Sequence, residues 1–165
     1  MTKQGLTAAA LLLAGAVQAQ APAPVATGQP DEAAFLARNA REAGVTALPG
    51  LQYRVLRSGP AGGEHPARAD EITVRYEGRF LDGRVFNTSP EGGTGTTTFP
   101  LGKLIPGWQA VLPKMRPGDV WRVWLPAHLA YGHVGKSYIP PDSPLVFRIE
   151  LVSVTRSPPP AAPAG

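Results

Sequence analysis

Between Glu71 and Leu81 the chain alternates: Ile72, Val74 and Tyr76 fall on one side, Thr73, Arg75 and Glu77 on the other. A period of two marks a half-buried strand, because successive side chains leave a pleated backbone on opposite faces. Val120–Leu125 repeats the pattern with Trp121, Val123 and Leu125 together, and Leu145–Leu151 with Leu145, Phe147, Ile149 and Leu151. Leu51–Leu56 reads as an earlier strand. Leu81-Asp82-Gly83-Arg84 reads as a hairpin turn centred on the favoured Asp-Gly pair. The period changes at Trp108, Val111 and Leu112, whose three- and four-residue spacing predicts a short helix. Pro106 suits its first turn and Pro113 cuts it short. These elements predict an α+β fold, an antiparallel β-sheet wrapped around one short α-helix that presents Trp108 to the concave side.

The ends read differently. Met1–Ala19 has the form of a secretory signal: Lys3, an apolar run from Leu6 to Val17, and the small-residue pattern Val17-Gln18-Ala19. That run is short for a bilayer span, so no stable membrane anchor is expected. A periplasmic or secreted protein is the expectation. Gln20–Pro30 reads as an Ala/Pro tether and Ser157–Gly165 as a disordered Pro/Ala tail. Asp31–Ala43 predicts a second short helix, capped by Asp31, apolar at Phe35 and Leu36, and ended by Gly44. The predicted organisation is a signal peptide over 1–19, linker and helix over 20–49, one domain over 50–156, and the tail from 157. The Asp31–Ala43 helix is too short for a separate dimerisation domain, so a monomer is the default.

Composition removes several kinds of chemistry. With no cysteine there is no disulfide, thiol nucleophile or thiolate metal site. His65, His128 and His133 have poor spacing for a metal, and neither a Gly-rich phosphate loop nor a serine-nucleophile motif is present. No cofactor is expected. The net charge of +4 comes from basic residues scattered among acids. Arg75, Arg79 and Arg84 could form a small patch, but a solvated face is the better reading, and no nucleic acid is expected. What remains is a set of aromatic residues with few polar partners, a composition suited to a small apolar binding site.

Six short motifs carry these aromatics in a fixed order: Tyr76-Glu77-Gly78, Asp82-Gly83-Arg84-Val85-Phe86, Phe99-Pro100-Leu101-Gly102, Ile105-Pro106-Gly107-Trp108, Leu129-Ala130-Tyr131-Gly132 and Ile139-Pro140-Pro141. In that order they resemble the FKBP-type peptidyl-prolyl cis-trans isomerases, over roughly Gly50–Thr155. The signal-like start, the short helix and Leu51-Gln52-Tyr53 are similar to the bacterial exported branch.

The resemblance implies an isomerase that helps exported proteins fold, acting on proline-containing polypeptides and unfolded exported proteins. Macrolide inhibitors are a further implied ligand class. It implies a catalytic set of Tyr76, Phe86, Asn87, Ile105, Trp108 and Tyr131, and substrate-binding residues Phe99, Leu104, Ile139 and Phe147. Trp108 would form the floor under a proline ring, and the Ile105 N–H and Tyr131 hydroxyl would bond substrate carbonyls. Ile72, Val74, Val123 and Ile149 read as plain core, Trp121 as structural and Trp124 as surface-exposed. The chain departs from the family at Asn87, where an Asp that bonds the equivalent of Tyr131 is usual. It also departs in a shorter Phe99–Trp108 segment and in Thr97, where some members carry an aromatic. These departures support an alternative, a weakly catalytic FKBP-like chaperone or binding module.

Overall fold

Seven strands form one antiparallel sheet in the computed structural model, which describes residues 31–157. They are β1 (Val45–Leu48), β2 (Leu51–Arg57), β3 (Glu71–Phe80), β4 (Val85–Thr88), β5 (Thr97–Pro100), β6 (Val120–Leu125) and β7 (Leu145–Thr155). The spatial order is β1-β2-β6-β7-β3-β4, and β5 also pairs with β3. The proposed signal segment, the Gln20–Pro30 tether and the tail beyond Ser157 lie outside the described residues.

The centre of the sheet is the β3–β7 pair, in which every residue of β3 has a partner on β7, from Glu71↔Thr155 to Phe80↔Leu145. The other edge of β3 is shared: Glu71–Val74 pair with β5 and Glu77–Arg79 with β4. One face of this sheet closes over α2 (Pro106–Val111), followed by a tight 3-10 turn at Leu112–Lys114. Ile72, Val74, Val111, Leu112, Val123, Leu145, Ile149 and Leu151 are all fully buried between them. Fully burying a side chain of this size is worth about 1.5–3 kcal/mol, so this face holds the fold together. The helix sits close because residue 107 is glycine: a Cβ there would meet the Leu125 methyls at 2.5 Å.

The outer face is covered in part by α1 (Glu32–Asn39). Asp31 caps it, accepting from the Ala33 and Ala34 N–H groups at 2.9 and 3.3 Å. The helix ends at Asn39 rather than Ala43. The reason is local and tertiary together: the Asn39 amide donates to Gln52 Oε1 at 2.8 Å, and Gln52 Nε2 donates to the Leu36 carbonyl at 2.8 Å. Glu32 accepts from the Ala127 N–H at 2.9 Å. The helix therefore docks on the sheet, and Trp124 lies in the groove beside Phe35, only 6% exposed. This corrects the expectation of a surface-exposed Trp124.

Three details differ from the sequence reading. Val45–Leu48 is a strand that forms a hairpin with β2, so the sheet begins upstream of residue 50. Four residues are too few to show a period. The β3–β4 turn is shifted by one residue: the Gly83 N–H donates to the Phe80 carbonyl, and Phe80 N–H to the Arg84 carbonyl. Only Gly83, at φ +91°, takes the left-handed conformation, so Asp82 is not part of a primed Asp-Gly turn. Ser157 is tied down rather than free, its N–H donating to Asp70 and its hydroxyl to the Ala69 carbonyl.

Candidate active site

Strand alternation turns Tyr76, Phe86, Phe99 and Phe147 toward the same side as Trp108 on α2. The rings of Tyr76, Phe99 and Phe147 stand at 84°, 85° and 87° to the indole plane, with centroids 5.4, 6.4 and 5.3 Å away. Edge-to-face contacts of this kind suit the charge distribution of aromatic rings. They also build a box with a flat floor and upright walls. Phe86 extends the wall by packing edge-on to Phe147 at 5.7 Å.

The cavity above the indole measures about 320 Å³ and is lined by Tyr76, Phe86, Asn87, Phe99, Lys103, Leu104, Ile105, Trp108, Tyr131, Lys136 and Phe147. Trp108 itself is 4% exposed and is among the residues that line this space. Gly78 makes the wall possible. A Cβ at that position would meet the Phe86 ring at 2.6 Å and the Phe147 ring at 3.0 Å.

Ile139 is not in this set. It is 6% exposed and packs in the apolar core rather than in the cavity lining. Its backbone pairs with Lys136, the Ile139 N–H donating to the Lys136 carbonyl at 2.8 Å and the Lys136 N–H donating back at 3.0 Å. The residue anchors the loop that carries Lys136 to the rim. Thr97 pairs with Val74 and does not line the cavity.

Two backbone devices hold the polar groups. Ile105 is the N-cap of α2, with extended backbone (φ −58°, ψ 150°) and its carbonyl accepting from the Trp108 N–H at 3.0 Å. Its own N–H has no partner among the described residues. The preceding loop is pinned by Gln109, whose amide donates to the Leu104 carbonyl at 2.6 Å and the Gly102 carbonyl at 3.2 Å. Sequence reasoning missed Gln109, because a glutamine on a short helix reads as solvated. It missed Lys103 and Lys136 for the same reason; only their closeness to Leu104 and Tyr131 in sequence hinted at them.

Tyr131 sits on the β6–β7 loop, fixed by a Gly132 N–H bond to the Ala127 carbonyl at 2.8 Å and an Asp142 N–H bond to the Gly132 carbonyl at 2.9 Å. The Lys136 ammonium lies 5.5 Å from its ring centroid, within cation–π range. Burial pushes the Tyr131 hydroxyl above its ordinary pKa, with Tyr138 adding to the effect. Burial does the same for Tyr76, reinforced by Tyr131 and Tyr138 and opposed by the Asn87 amide at its hydroxyl. Both phenols are neutral O–H donors through the physiological range.

No carboxylate lines the cavity, and among the described residues no cluster of His, Asp and Glu could hold a metal ion. The chemistry available is apolar enclosure plus a few neutral donors. Such a space accepts one small apolar ring whose attached carbonyls reach the rim, and a proline within a peptide is a group of that shape.

A model of the FKBP-type peptidyl-prolyl cis-trans isomerases matches residues 62–152, and the chain belongs to that family. It is 44% identical over 125 residues to the peptidyl-prolyl cis-trans isomerase Mip of Coxiella burnetii, covering 74% of this chain and 53% of that protein. It is 41% identical over 122 residues to the FKBP-type 22 kDa peptidyl-prolyl cis-trans isomerase of Escherichia coli, covering 73% of this chain and 58% of the relative. The chain thus spans little more than half the length of these relatives. Among solved structures, FkpA from Escherichia coli superposes with a TM-score of 0.71 at 36% identity, covering 77% of this chain and 59% of FkpA. A peptidyl-prolyl cis-trans isomerase from Pseudomonas syringae gives 0.69 at 36% identity, covering 76% and 91%.

Proposed function

We propose that this protein catalyses cis-trans isomerisation of X-Pro bonds in exported polypeptides and thereby assists their folding. The observation that carries the reading is the cavity over Trp108, walled by three upright rings and rimmed by the Ile105 N–H and the Tyr131 hydroxyl.

Rotation about a peptide C–N bond breaks its resonance and meets a barrier of ~18–20 kcal/mol. The planar amide has a charge-separated form that water stabilises; the twisted amide is less dipolar. A water-poor aromatic box removes solvation that favours the planar ground state. It also holds the proline ring still while the preceding carbonyl turns against the rim donors. Each ~1.36 kcal/mol by which the site favours the twisted over the planar amide gives tenfold in rate. No nucleophile takes part. Unaided isomerisation takes tens of seconds and limits the folding of many chains, so the activity has a physical target.

The exported setting is supported by the signal-like first 19 residues. A relative from Legionella longbeachae, 40% identical over 127 residues, bears the name outer membrane protein MIP. Among the described residues no helix is long and apolar enough to cross a membrane.

One observation favours a second reading, a binding module with little catalysis: Asn87 places an amide in the cavity wall where the family usually has a carboxylate. A protease-coupled assay on a short Leu-Pro peptide separates the two. Acceleration well above the spontaneous rate supports the isomerase, and binding without acceleration supports the module. In the first case Asn87→Asp should raise the rate; no gain with the fold intact makes this departure neutral.

A further inference from the structure

The outer face of the sheet carries a row of arginines that the fold does not need. Arg54 on β2 lies directly opposite Arg122 on β6, and Arg122 directly opposite Arg148 on β7. Paired positions have Cβ atoms about 4.5–5.5 Å apart, where like charges destabilise a sheet. None of the three forms an ion pair or a side-chain hydrogen bond among the described residues, and Arg54 Nε is buried with no partner at all. Residues 1–30 and 158–165 contain no Asp or Glu side chain.

The row lies between two grooves that share Arg122, Trp124 and Phe35, about 420 Å³ on the α1 side and about 300 Å³ toward the Phe80–Gly83 turn. Together they are lined by Arg38, Arg54, Arg79, Arg122 and Arg148, against only Glu42 and Glu77. Three of the chain's four surplus positive charges are therefore gathered here. Glu77 is already engaged with Arg79 at 2.5 Å.

We propose that this arginine row is a second docking site, for carboxylate-rich extended segments of the polypeptides whose prolines enter the cavity; its occupant rests on the isomerase reading. Planar guanidinium groups, with no lysine among them, match carboxylates two bonds at a time. The three strands span about 10 Å, a distance that the alternate side chains of an extended peptide, about 7 Å apart, can follow. The half-buried Phe35 offers apolar surface to the residues between the acids. Trp124 is buried and offers no open ring for stacking a nucleobase, which disfavours single-stranded nucleic acid. Arg122 and Arg148 are exposed on this face, and Arg54 is half-buried beside them. A cavity that holds one proline gains residence time from such a second hold on the same chain.

The test is fluorescence anisotropy of the full mature chain with a labelled, proline-free (Glu-Ser)5 peptide, which the cavity has no ring to capture. A (Gln-Ser)5 peptide should bind at least about tenfold more weakly, and binding should fall steeply between about 20 and 200 mM salt. Arg122→Glu/Arg148→Glu should weaken the acidic peptide by about tenfold or more while leaving the rate on a short neutral X-Pro peptide unchanged. Arg122→Gln guards against a folding artefact: it relieves like-charge contact, so Tm should hold or rise as affinity drops. Unchanged peptide affinity in the double variant overturns the site. So does tighter binding to phosphatidylglycerol vesicles or to a single-stranded oligonucleotide than to the acidic peptide. Peptide binding without X-Pro acceleration would sink the isomerase reading alone, and acceleration without peptide binding would sink this site alone.

Discussion

Neighbouring residues of one strand serve opposite faces of this protein. Phe147 packs edge-on to Trp108 inside, and Arg148, one residue on, stands outside opposite Arg122. The same split separates Val123 from Arg122 on β6 and Tyr76 from Glu77 on β3. The apolar surface of the inner face is covered by its own contacts: rings meet rings, the cavity is what remains over the indole, and only the buried indole N–H groups of Trp108 and Trp121 are left without partners among the described residues. The outer face is only partly so. Arg57 and Arg75 share Glu150, Arg79 takes Glu77 and Arg84 takes Asp82, yet the Arg54–Arg122–Arg148 row is left without acids. A face that completes itself explains stability and shape. A face that leaves like charges aligned needs something outside the molecule to explain it.

Substitution at the two buried outer- and inner-face tryptophans should break this symmetry most sharply. Trp108→Ala removes the floor of the box, and truncating a buried aromatic costs about 3–5 kcal/mol. Isomerase activity should vanish and the urea midpoint should drop strongly. Trp124→Phe, almost equally buried but on the far face, should leave the X-Pro rate within about twofold, since it makes no cavity contact and keeps an aromatic ring in place. Equal activity losses would show that the cavity is not where isomerisation occurs.

Next in size is Gly78→Ala. The added methyl lands on the Phe86 and Phe147 rings, and overpacking of this kind costs about 1–3 kcal/mol. The walls must shift, so activity should fall more than stability alone explains, measured at a temperature where the variant is fully folded. A fully active Gly78→Ala would mean that the rings at this wall do not touch substrate.

Tyr131→Phe should act more gently. It deletes one hydroxyl and leaves the ring, and a single hydrogen bond is worth about 0.5–1.5 kcal/mol, or roughly 2- to 12-fold in kcat/KM. The melting curve should barely move, because the hydroxyl has no partner among the described residues. A loss of stability with no loss of rate would reassign Tyr131 to structure.

The two faces also differ in how far they could be read from the sequence. Alternation in β3, β6 and β7 exposed the inner strands, because a buried stripe needs apolar residues at every second position. The aromatics near glycine and proline pointed to the cavity through the family motifs. Ile139 falls outside the cavity lining because the Ile-Pro-Pro motif marks a loop without saying which way its side chains turn. Trp124 went wrong because β6 is covered on both faces, and an alternation rule assumes one face is wet. The arginine row was invisible for a deeper reason. Arg54, Arg122 and Arg148 are far apart in sequence, and only strand register makes them neighbours. Arg75, Arg79 and Arg84, which are close in sequence, turn out to be paired with acids.

The smallest expected effect is a flat one. No carboxylate or imidazole lines the cavity, so the X-Pro rate should not change between about pH 5 and pH 9. Its half-buried phenols, Tyr76 and Tyr131, have pKa values raised above the ordinary tyrosine value, so they keep their protons throughout that interval. Activity should decline only on the alkaline side, and the part of that decline due to Tyr131 should disappear in Tyr131→Phe. The acid limb belongs elsewhere in the molecule. Asp70 is held below the usual carboxylate pKa, chiefly by the Ala67 N–H, with Ser157 and Arg156 also donating and burial opposing. A depressed folded-state pKa means the unfolded chain binds more protons as pH falls toward the ordinary carboxylate value. The stability from this group is therefore present above that value and lost as pH drops through the lower folded one. Asp70→Asn should lower Tm at neutral pH and reduce its further fall in acid, while the rate at pH 7 stays unchanged. A bell-shaped rate profile centred near neutrality would instead place a titrating group in the cavity, against everything its lining residues allow.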